Sequence, residues 1–333
     1  MMRYLDVCAG ISASTVAWKP LGWEAAAYSE IEAAPRAVLA HHYPNTPLHG
    51  DFTTIRGDEY GAIDLLVGGT PCQDFSDAGR REGLDGDRGN LSLEFCELAD
   101  RSGARWLVWE NVTGVLSNDG GRAFGAILGA MVRRGFGVAY RVLDAQYFGL
   151  PQRRKRVIVV GYRGDWRASA AVLFERGAMS GRPNPRKAAG KGAAVGFSDP
   201  ATPGIAKPIG AHSSAKGRGT DLDNTTYIGV DLAQITSATN RTRLESNLPL
   251  STLLATSRMV IATDSGVRYM TPIEHERVMG FPDNYTLVPY RKRMMAAGPR
   301  QHMLGNSMAP PKMRWIGERI QAVETLRSVR AAA

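Results

Sequence analysis

Along the first 163 residues, short apolar runs of strand length alternate with segments of helical period. Residues 4–9 (Tyr4-Leu5-Asp6-Val7-Cys8-Ala9) predict a first strand, and a small-residue turn after it leads into a helix through Val16-Ala17-Trp18. Further strands are predicted at 24–29, 63–67, 106–109, 138–143 and 157–162, with helices at 33–42, 91–99 and 121–134. The runs Leu65-Leu66-Val67 and Trp106-Leu107-Val108-Trp109 are continuously apolar, which marks strands buried on both faces. Strands alternating with helices predict an open α/β sheet. From 164 to 230 the pattern fades. Gly, Ala, Pro, Arg, Lys and Ser dominate there, as in Ser180-Gly181-Arg182-Pro183, and no element is placed. Short strands are predicted again at 228–230 and 259–262. Thr271-Pro272 followed by Glu274 predicts a capped helix start. A terminal helix is predicted over 310–323, fraying toward the alanine-rich end. No internal repeat interrupts this plan.

The most informative stretch is Gly68-Gly69-Thr70-Pro71-Cys72-Gln73-Asp74-Phe75-Ser76. A strand that meets Gly-Gly and then Pro cannot continue regularly, because proline has no ladder donor and glycine permits dihedrals that other residues avoid. The thiol of Cys72 is thereby placed at the carboxyl end of a strand, where open α/β sheets keep their chemistry. A lone cysteine is ordinarily a small buried hydrophobe. The polar, glycine-rich residues that follow, through Gly83, argue for a presented thiol instead.

Other candidates carry two readings each. Ala9-Gly10-Ile11-Ser12 is either a structural turn or the cradle of a nucleotide at a helix N-terminus. The glycine pattern of a dinucleotide fold is absent there, so NAD is not favoured. Glu30, at the end of the second strand, is either a solvated acid or an acceptor for ribose hydroxyls. Glu110 follows a buried apolar run, where a carboxylate must be paired or used. The cations Arg153-Arg154-Lys155-Arg156 read as a solvated or phosphate-binding face, with Arg154 and Arg156 on one side if a strand begins there. His275 reads as structural.

Charge sharpens the division of the chain. Residues 1–150 hold 13 Lys/Arg against 19 Asp/Glu, a balance of −6; residues 151–333 hold 28 against 13, a balance of +15, which together give the net +9. The second half would attract a polyanion, unless it is merely a soluble basic surface. The 333 residues suffice for one large or two moderate domains. No apolar run is of membrane-spanning length and the N-terminus does not read as a signal peptide. Cys8, Cys72 and Cys96 form no CxxC pair, and the six histidines are scattered apart from His41-His42, so neither a disulfide framework nor a metal site is expected. A reducing cytoplasm fits.

Pro71-Cys72-Gln73 with Phe75-Ser76, then Arg88-Gly89-Asn90-Leu91, Glu110-Asn111-Val112, Gln152-Arg153-Arg154-Lys155-Arg156 and Gly305-Asn306-Ser307, resemble the motifs of the cytosine carbon-5 DNA methyltransferases, in the family's order. The wording is most similar to phage and prophage members, and the likeness covers roughly residues 3–163 and 266–320. It implies a Rossmann-like, S-adenosyl-L-methionine-dependent methyltransferase fold with a smaller, mostly irregular or β target-recognition domain. The implied division is 1–163 for catalysis and cofactor, 164–267 for target recognition, 268–299 as hinge and brace, and 300–333 returning to the first domain. The resemblance assigns catalysis to Cys72, Glu110, Arg154 and Arg156. It assigns cofactor binding to Ala9, Gly10, Ile11, Ser12, Glu30, Asp51, Phe52, Asn306 and Ser307, and DNA contacts to Gln73, Ser76, Gln152 and Arg153. Family members usually carry Phe-x-Gly-x-Gly-Gly after the first strand; here Cys8, Gly10, Ser12 and Ala13 stand in those places. A monomer acting on double-stranded DNA in the cytoplasm, or in the host cytoplasm for a phage-encoded enzyme, is the implied setting. A partner endonuclease is left open. Two other readings remain: an RNA cytosine methyltransferase, whose recognition region is usually compact, and a non-enzymatic, cofactor-gated DNA-binding regulator. The roughly 100 residues between the eighth and ninth motifs favour DNA.

Overall fold

The structure is a computed structural model that describes residues 1–71, 91–174, 228–231, 259–263 and 266–332. Cys72, Gln73, Ser76, the Arg88-Gly89-Asn90 motif and most of 164–267 lie outside the described residues. The chain forms two compact units: Met1–Leu143, Lys155–Arg182 and Lys312–Ala333 make the first, and Asp144–Arg154 with Pro183–Pro311 make the second.

The first unit is built on a seven-stranded sheet. Its strands are β1 (Arg3–Val7), β2 (Glu24–Ser29), β3 (Leu48–His49), β4 (Leu65–Gly68), β5 (Trp106–Val112), β6 (Phe136–Asp144) and β7 (Lys155–Arg163), in the order β3-β2-β1-β4-β5-β7-β6. β1 pairs in parallel with both β2 and β4, so the chain builds outward on one side of β1 and then returns to build on the other. This reversal is the topological switch point at which open α/β sheets bind ligands, beyond the carboxyl ends of the strands. β1 and β4 can lie side by side there because Gly68 is a glycine: a Cβ would come within 2.8 Å of the Val7 carbonyl oxygen.

The sheet is buried on both faces, as its apolar strands require. On one face Leu5, Leu66, Leu107 and Val159 join Phe95 and Leu98 of α3 (Leu91–Arg101) and Ile127 and Met131 of α4 (Arg122–Arg133). On the other, Tyr4 packs edge-on against Trp18 of α1 (Ala13–Trp18), whose indole donates to the Met313 carbonyl at 2.7 Å. Helix α2 (Ala33–His42) connects β2 to β3.

The strands and helices predicted in the first 163 residues all form, and two differences from the sequence reading stand out there and just beyond. Glu110 does not follow β5 but lies inside it, because the antiparallel partner β7 continues the ladder to Val112↔Arg156 after β4 has ended at Gly68↔Trp109. And α5 (Trp166–Leu173) forms in a segment given no element from sequence; the Asp165 side chain caps it by accepting from the Arg167 amide at 3.0 Å.

In the second unit β8 (Ile228–Asp231), β9 (Met259–Thr263) and β10 (Gly266–Tyr269) form an antiparallel sheet. The predicted capping box opens α6 (Pro272–Met279), with Thr271 and Glu274 bonded reciprocally. A two-stranded hairpin follows, β11 (Pro289–Tyr290) with β12 (Arg293–Met294), then α7 (Ala297–Asn306). Glu276 is fully buried and braces this unit: its carboxylate accepts from the Asn284 amide at 2.7 Å, the Thr286 amide at 2.8 Å and Arg300 Nη2 at 3.0 Å. The terminal helix α8 (Pro310–Ala332) reaches beyond the predicted 323.

Candidate active site

The loop after β1 is held from two sides. The Gly10 amide donates to Glu30 Oε2 at 2.8 Å, and Glu30 Oε1 accepts from the Glu32 amide at 2.8 Å. Burial raises the Glu30 carboxyl above its ordinary range, and the backbone hydrogen bonds partly oppose that rise. Gly10 has φ +55°, and a Cβ there would meet nothing within 4 Å, so the loop leaves an open cradle next to a buried acid. Ile31 stands beside that acid with 74% of its surface exposed, an apolar face that the sequence reading did not single out. Asp51 accepts from the Thr53 amide at 3.0 Å and caps a short 3-10 turn, while Phe52 enters the core.

Beneath the loop lies a hydroxyl network. Ser12 Oγ donates to Asp6 Oδ2 at 2.7 Å and contacts Thr15 Oγ1 at 2.7 Å; Ser14 Oγ also donates to Asp6 Oδ2. Thr15 Oγ1 in turn meets the hydroxyls of Tyr4 at 2.7 Å and Tyr28 at 2.9 Å. Asp6 is deeply buried, and that desolvation pushes its carboxyl up to about 7, against the Ser14 and Ser12 hydrogen bonds, with a smaller upward push from Glu30. Ser12 holds φ +51° and Cys8 φ +48°, left-handed conformations that favour glycine.

At the neighbouring strand ends, Thr70 is clamped by three side chains. Trp109 Nε1 donates to Thr70 Oγ1 at 2.9 Å, Asn111 Nδ2 donates to the Thr70 carbonyl at 2.9 Å, and Ser92 Oγ lies 2.6 Å from Thr70 Oγ1. The start of the Pro71-Cys72 segment is therefore tied to the Glu110-Asn111 motif on β5. Thr70 and Asn111 lie inside motifs quoted from the sequence, but their mutual hydrogen bond was not anticipated.

Glu110 projects between two cations. Arg156 Nε lies 3.5 Å from Glu110 Oε1, and Lys312 Nζ lies 3.9 Å from the same oxygen. Glu110 Oε1 is buried and makes no hydrogen bond among the described residues. Lys312 is 1% exposed, beside the buried Met313 and Ile316 of α8, and was not anticipated from sequence. Lysine is almost never so buried unless it is paired.

In the second unit, Gln152 Nε2 donates to the Val278 carbonyl at 2.8 Å, near the end of α6. Arg154 Nη2 donates to the carbonyls of Gly305 at 2.9 Å and Ser307 at 2.7 Å, capping α7, whose last residue is Asn306. Arg154 precedes β7 rather than lying in it. Arg153 is exposed. Cys8 and Cys96 are poor nucleophiles, since burial pushes both thiols up to about 12. His275 is buried, with Nδ1 3.0 Å from the Thr271 carbonyl, as a structural histidine should be.

The chain is similar to known proteins. A protein of Escherichia phage P1 named DNA N-6-adenine-methyltransferase is 32% identical over 458 residues, covering 95% of this chain and 61% of that protein. The Bacillus subtilis type II methyltransferase M.BsuFI is 34% identical over 164 residues, 49% of this chain and 40% of its own length. The chain thus spans less than two thirds of these relatives. Among solved structures, the S. pombe Dnmt2 methyltransferase superposes with TM-score 0.66 at 14% identity, covering 99% of each chain. A putative DNA modification methyltransferase from an E. coli prophage superposes with TM-score 0.62 at 18% identity, covering 98% of this chain and 100% of its own. These likenesses establish a fold of S-adenosyl-L-methionine-dependent methyltransferases. Residues 2–322 match the family described as C-5 cytosine-specific DNA methylase, and to that family this chain belongs.

Proposed function

We propose that the protein is a DNA cytosine-5 methyltransferase that acts through a covalent adduct between Cys72 and a flipped cytosine. The observation that carries this reading is Glu110 Oε1: a buried acceptor, flanked by two cations, on the strand whose Asn111 ties down the chain leading to Cys72. A buried oxygen left without a hydrogen bond is costly unless a ligand completes it. The edge of a cytosine, with ring nitrogen-3 protonated and an exocyclic amine, supplies the matching donors. The base reaches such a site only by leaving the duplex, at a cost of a few kcal/mol.

The open Gly10 cradle, the Glu30 carboxylate and the exposed Ile31 fit the nucleoside end of S-adenosyl-L-methionine. Each Glu30 oxygen keeps a lone pair for a ribose hydroxyl, and Ala9, Ile11, Ser12, Asp51 and Phe52 surround the same strand ends. Asn306 and Ser307 are proposed cofactor contacts on the family resemblance alone. The cofactor supplies an electrophilic methyl group. The protein's residues do the rest. The Cys72 thiolate adds to carbon-6; Glu110 holds nitrogen-3 protonated, which draws charge off the ring and leaves carbon-5 an enamine nucleophile. Carbon-5 takes the methyl group, then loses its proton to a base, and the Cys72–carbon-6 bond breaks to restore the aromatic ring and the thiolate. Arg156 neutralises Glu110 and faces the base, while Arg154 contributes by holding the Asn306-Ser307 turn. Gln73, Ser76, Gln152 and Arg153 are proposed DNA contacts.

The name of the phage P1 relative, an adenine methyltransferase, favours a second reading. More than a third of that protein has no counterpart in this chain, which leaves room for the adenine chemistry outside the shared part. Trapping decides. A duplex with 5-fluorocytosine at the target cannot lose fluorine as a proton, so elimination stalls and a denaturation-resistant adduct accumulates when the cofactor is present. Cys72→Ser abolishes the adduct; Cys8→Ser and Cys96→Ser do not. DNA that is bound but never trapped overturns the cytosine reading, and trapping on RNA alone replaces DNA with RNA as the substrate.

A further inference from the structure

The hairpin β11–β12 has a two-residue turn, Arg291-Lys292, closed by Tyr290↔Arg293 pairing. Both turn residues have positive φ, +48° and +65°. Two-residue hairpin turns of this kind ordinarily take Asn-Gly, because side-chain-bearing residues are strained there. The strain is supported from below. Met295 and Val288 are buried and joined by an amide-to-carbonyl bond of 2.9 Å, and Thr286 next to them is held in the Glu276–Arg300 brace. The tip is thus a rigid ribbon that presents Arg291, Lys292 and Arg293 in succession, all exposed.

Several other arginines among the described residues are neutralised. Arg101 pairs with Glu94, Arg122 with Asp119, Arg163 with Asp100 and Arg327 with Asp165. The three cations of the tip pair with no carboxylate among the described residues. Arg291 instead lies over the Tyr290 ring, 5.1 Å from its centroid, which restrains the guanidinium while leaving its donors outward. Positive φ at both positions is what the two-residue turn demands; keeping Arg-Lys there in place of Asn-Gly, with the charges unneutralised among the described residues, points to a use for the charges. The geometry and charge fit closely spaced anions along a polymer, and arginine forks match phosphate oxygens in pairs.

We propose that the Arg291-Lys292-Arg293 tip grips backbone phosphates of the nucleic-acid substrate, a contact that positions the duplex without reading its sequence. The proposal rests on the reading of the protein as a nucleic-acid methyltransferase. Its test is equilibrium binding of the full chain to a cytosine-containing duplex across a salt series. Two variants are compared with the parent: the pair Arg291→Asn/Lys292→Gly, which suits the turn and removes two charges, and Arg293→Gln. Each lost phosphate contact makes the slope of log affinity against log salt shallower by about 0.9, so the pair flattens it by ~2 and the single change by ~1, uniformly over duplex sequences. Slopes and affinities equal to the parent's in both variants overturn the proposal. Binding needs no turnover, so the two readings fail separately. Steep, tip-dependent binding without methyl transfer retires the enzyme reading alone. Methyl transfer with an unaltered slope retires the tip alone.

Discussion

Replacing Ser12 by glycine and by alanine separates what its backbone costs from what its hydroxyl contributes. Ser12 sits at φ +51°, and an L-residue in that region is disfavoured by about 1–2 kcal/mol. Its hydroxyl donates to Asp6 Oδ2 at 2.7 Å and accepts weakly from the Thr15 amide at 3.3 Å. Losing a bond to a partly ionised carboxyl costs about 1.5 kcal/mol, and exchanging serine for glycine at a helix N-cap costs only a few tenths. Ser12→Gly therefore trades one term against the other and ends near neutral. Ser12→Ala loses the hydroxyl and keeps the strain, so it destabilises by roughly 1.5 kcal/mol. Glycine's freer unfolded chain offsets about 0.4–1 kcal/mol of the glycine advantage. The glycine variant should still exceed the alanine variant by ~1 kcal/mol, visible as a higher thermal midpoint in parallel scans. Alanine equal to or above glycine would refute the idea that the left-handed backbone is what Ser12 pays for. Because Ser12 is fully buried and its hydroxyl is spent on the inner network, titration calorimetry should find cofactor affinity in the glycine variant within a few-fold of the parent.

Asp6 makes stability depend on pH. Its folded value, about 7, lies above the ordinary 3.8, so the native state keeps a proton that the unfolded chain releases. The stabilisation is complete below pH ~4 and is lost as pH rises to ~7, an effect of order 4 kcal/mol. Asp6→Asn removes that dependence, so the difference in thermal midpoint, variant minus parent, should climb between about pH 4 and 7; a flat difference contradicts it. Lys312→Met, which removes a charge 3.9 Å from Glu110, should lower kcat in single-turnover assays with little change in KM, and Lys312→Arg should recover part of the loss. The expected drop is roughly ten- to hundredfold, below the 10²–10³ typical of a donor touching the reacting atom.

Much of this architecture is legible because it is local. The run Trp106-Leu107-Val108-Trp109 declares a doubly buried strand, and Thr271-Pro272 with Glu274 declares a helix start, each from chemistry within a few residues. What escaped depends on partners far along the chain. Glu110 reads as lying just past its strand because the apolar run stops at Trp109; β7 extends β5 past that point, some 46 residues later at Val112↔Arg156. Lys312 is not singled out by the sequence because nothing near it there reveals that Glu110 packs opposite. Helix α5 was hidden differently. Its eight residues adjoin a stretch rich in Gly, Pro and basic residues, and only Asp165, a side-chain cap, marks its start.

The motif Gln152-Arg153-Arg154-Lys155-Arg156 spans two different settings in the structure. Alternation suggested two guanidinia aimed together, but the strand begins only at Lys155. Before it, Gln152 and Arg154 are buried and spend their donors on the carbonyls at the ends of α6 and α7, while Arg153 between them is exposed. After it, Arg156 spends one donor on the Lys155 carbonyl and lies at ion-pair distance from Glu110. The same cation type thus does two jobs, set by what it meets. A guanidinium has five donors and no means of losing its charge; main-chain carbonyls at a helix end take up Nη2 of Arg154, whereas Arg156 lies beside a carboxylate oxygen, Glu110 Oε1, that makes no hydrogen bond among the described residues. Completion at that oxygen requires a donor from outside the described residues. What each cation meets, main-chain carbonyls for Arg154 and a carboxylate for Arg156, rather than the run of positive charge, separates the two ends of the motif.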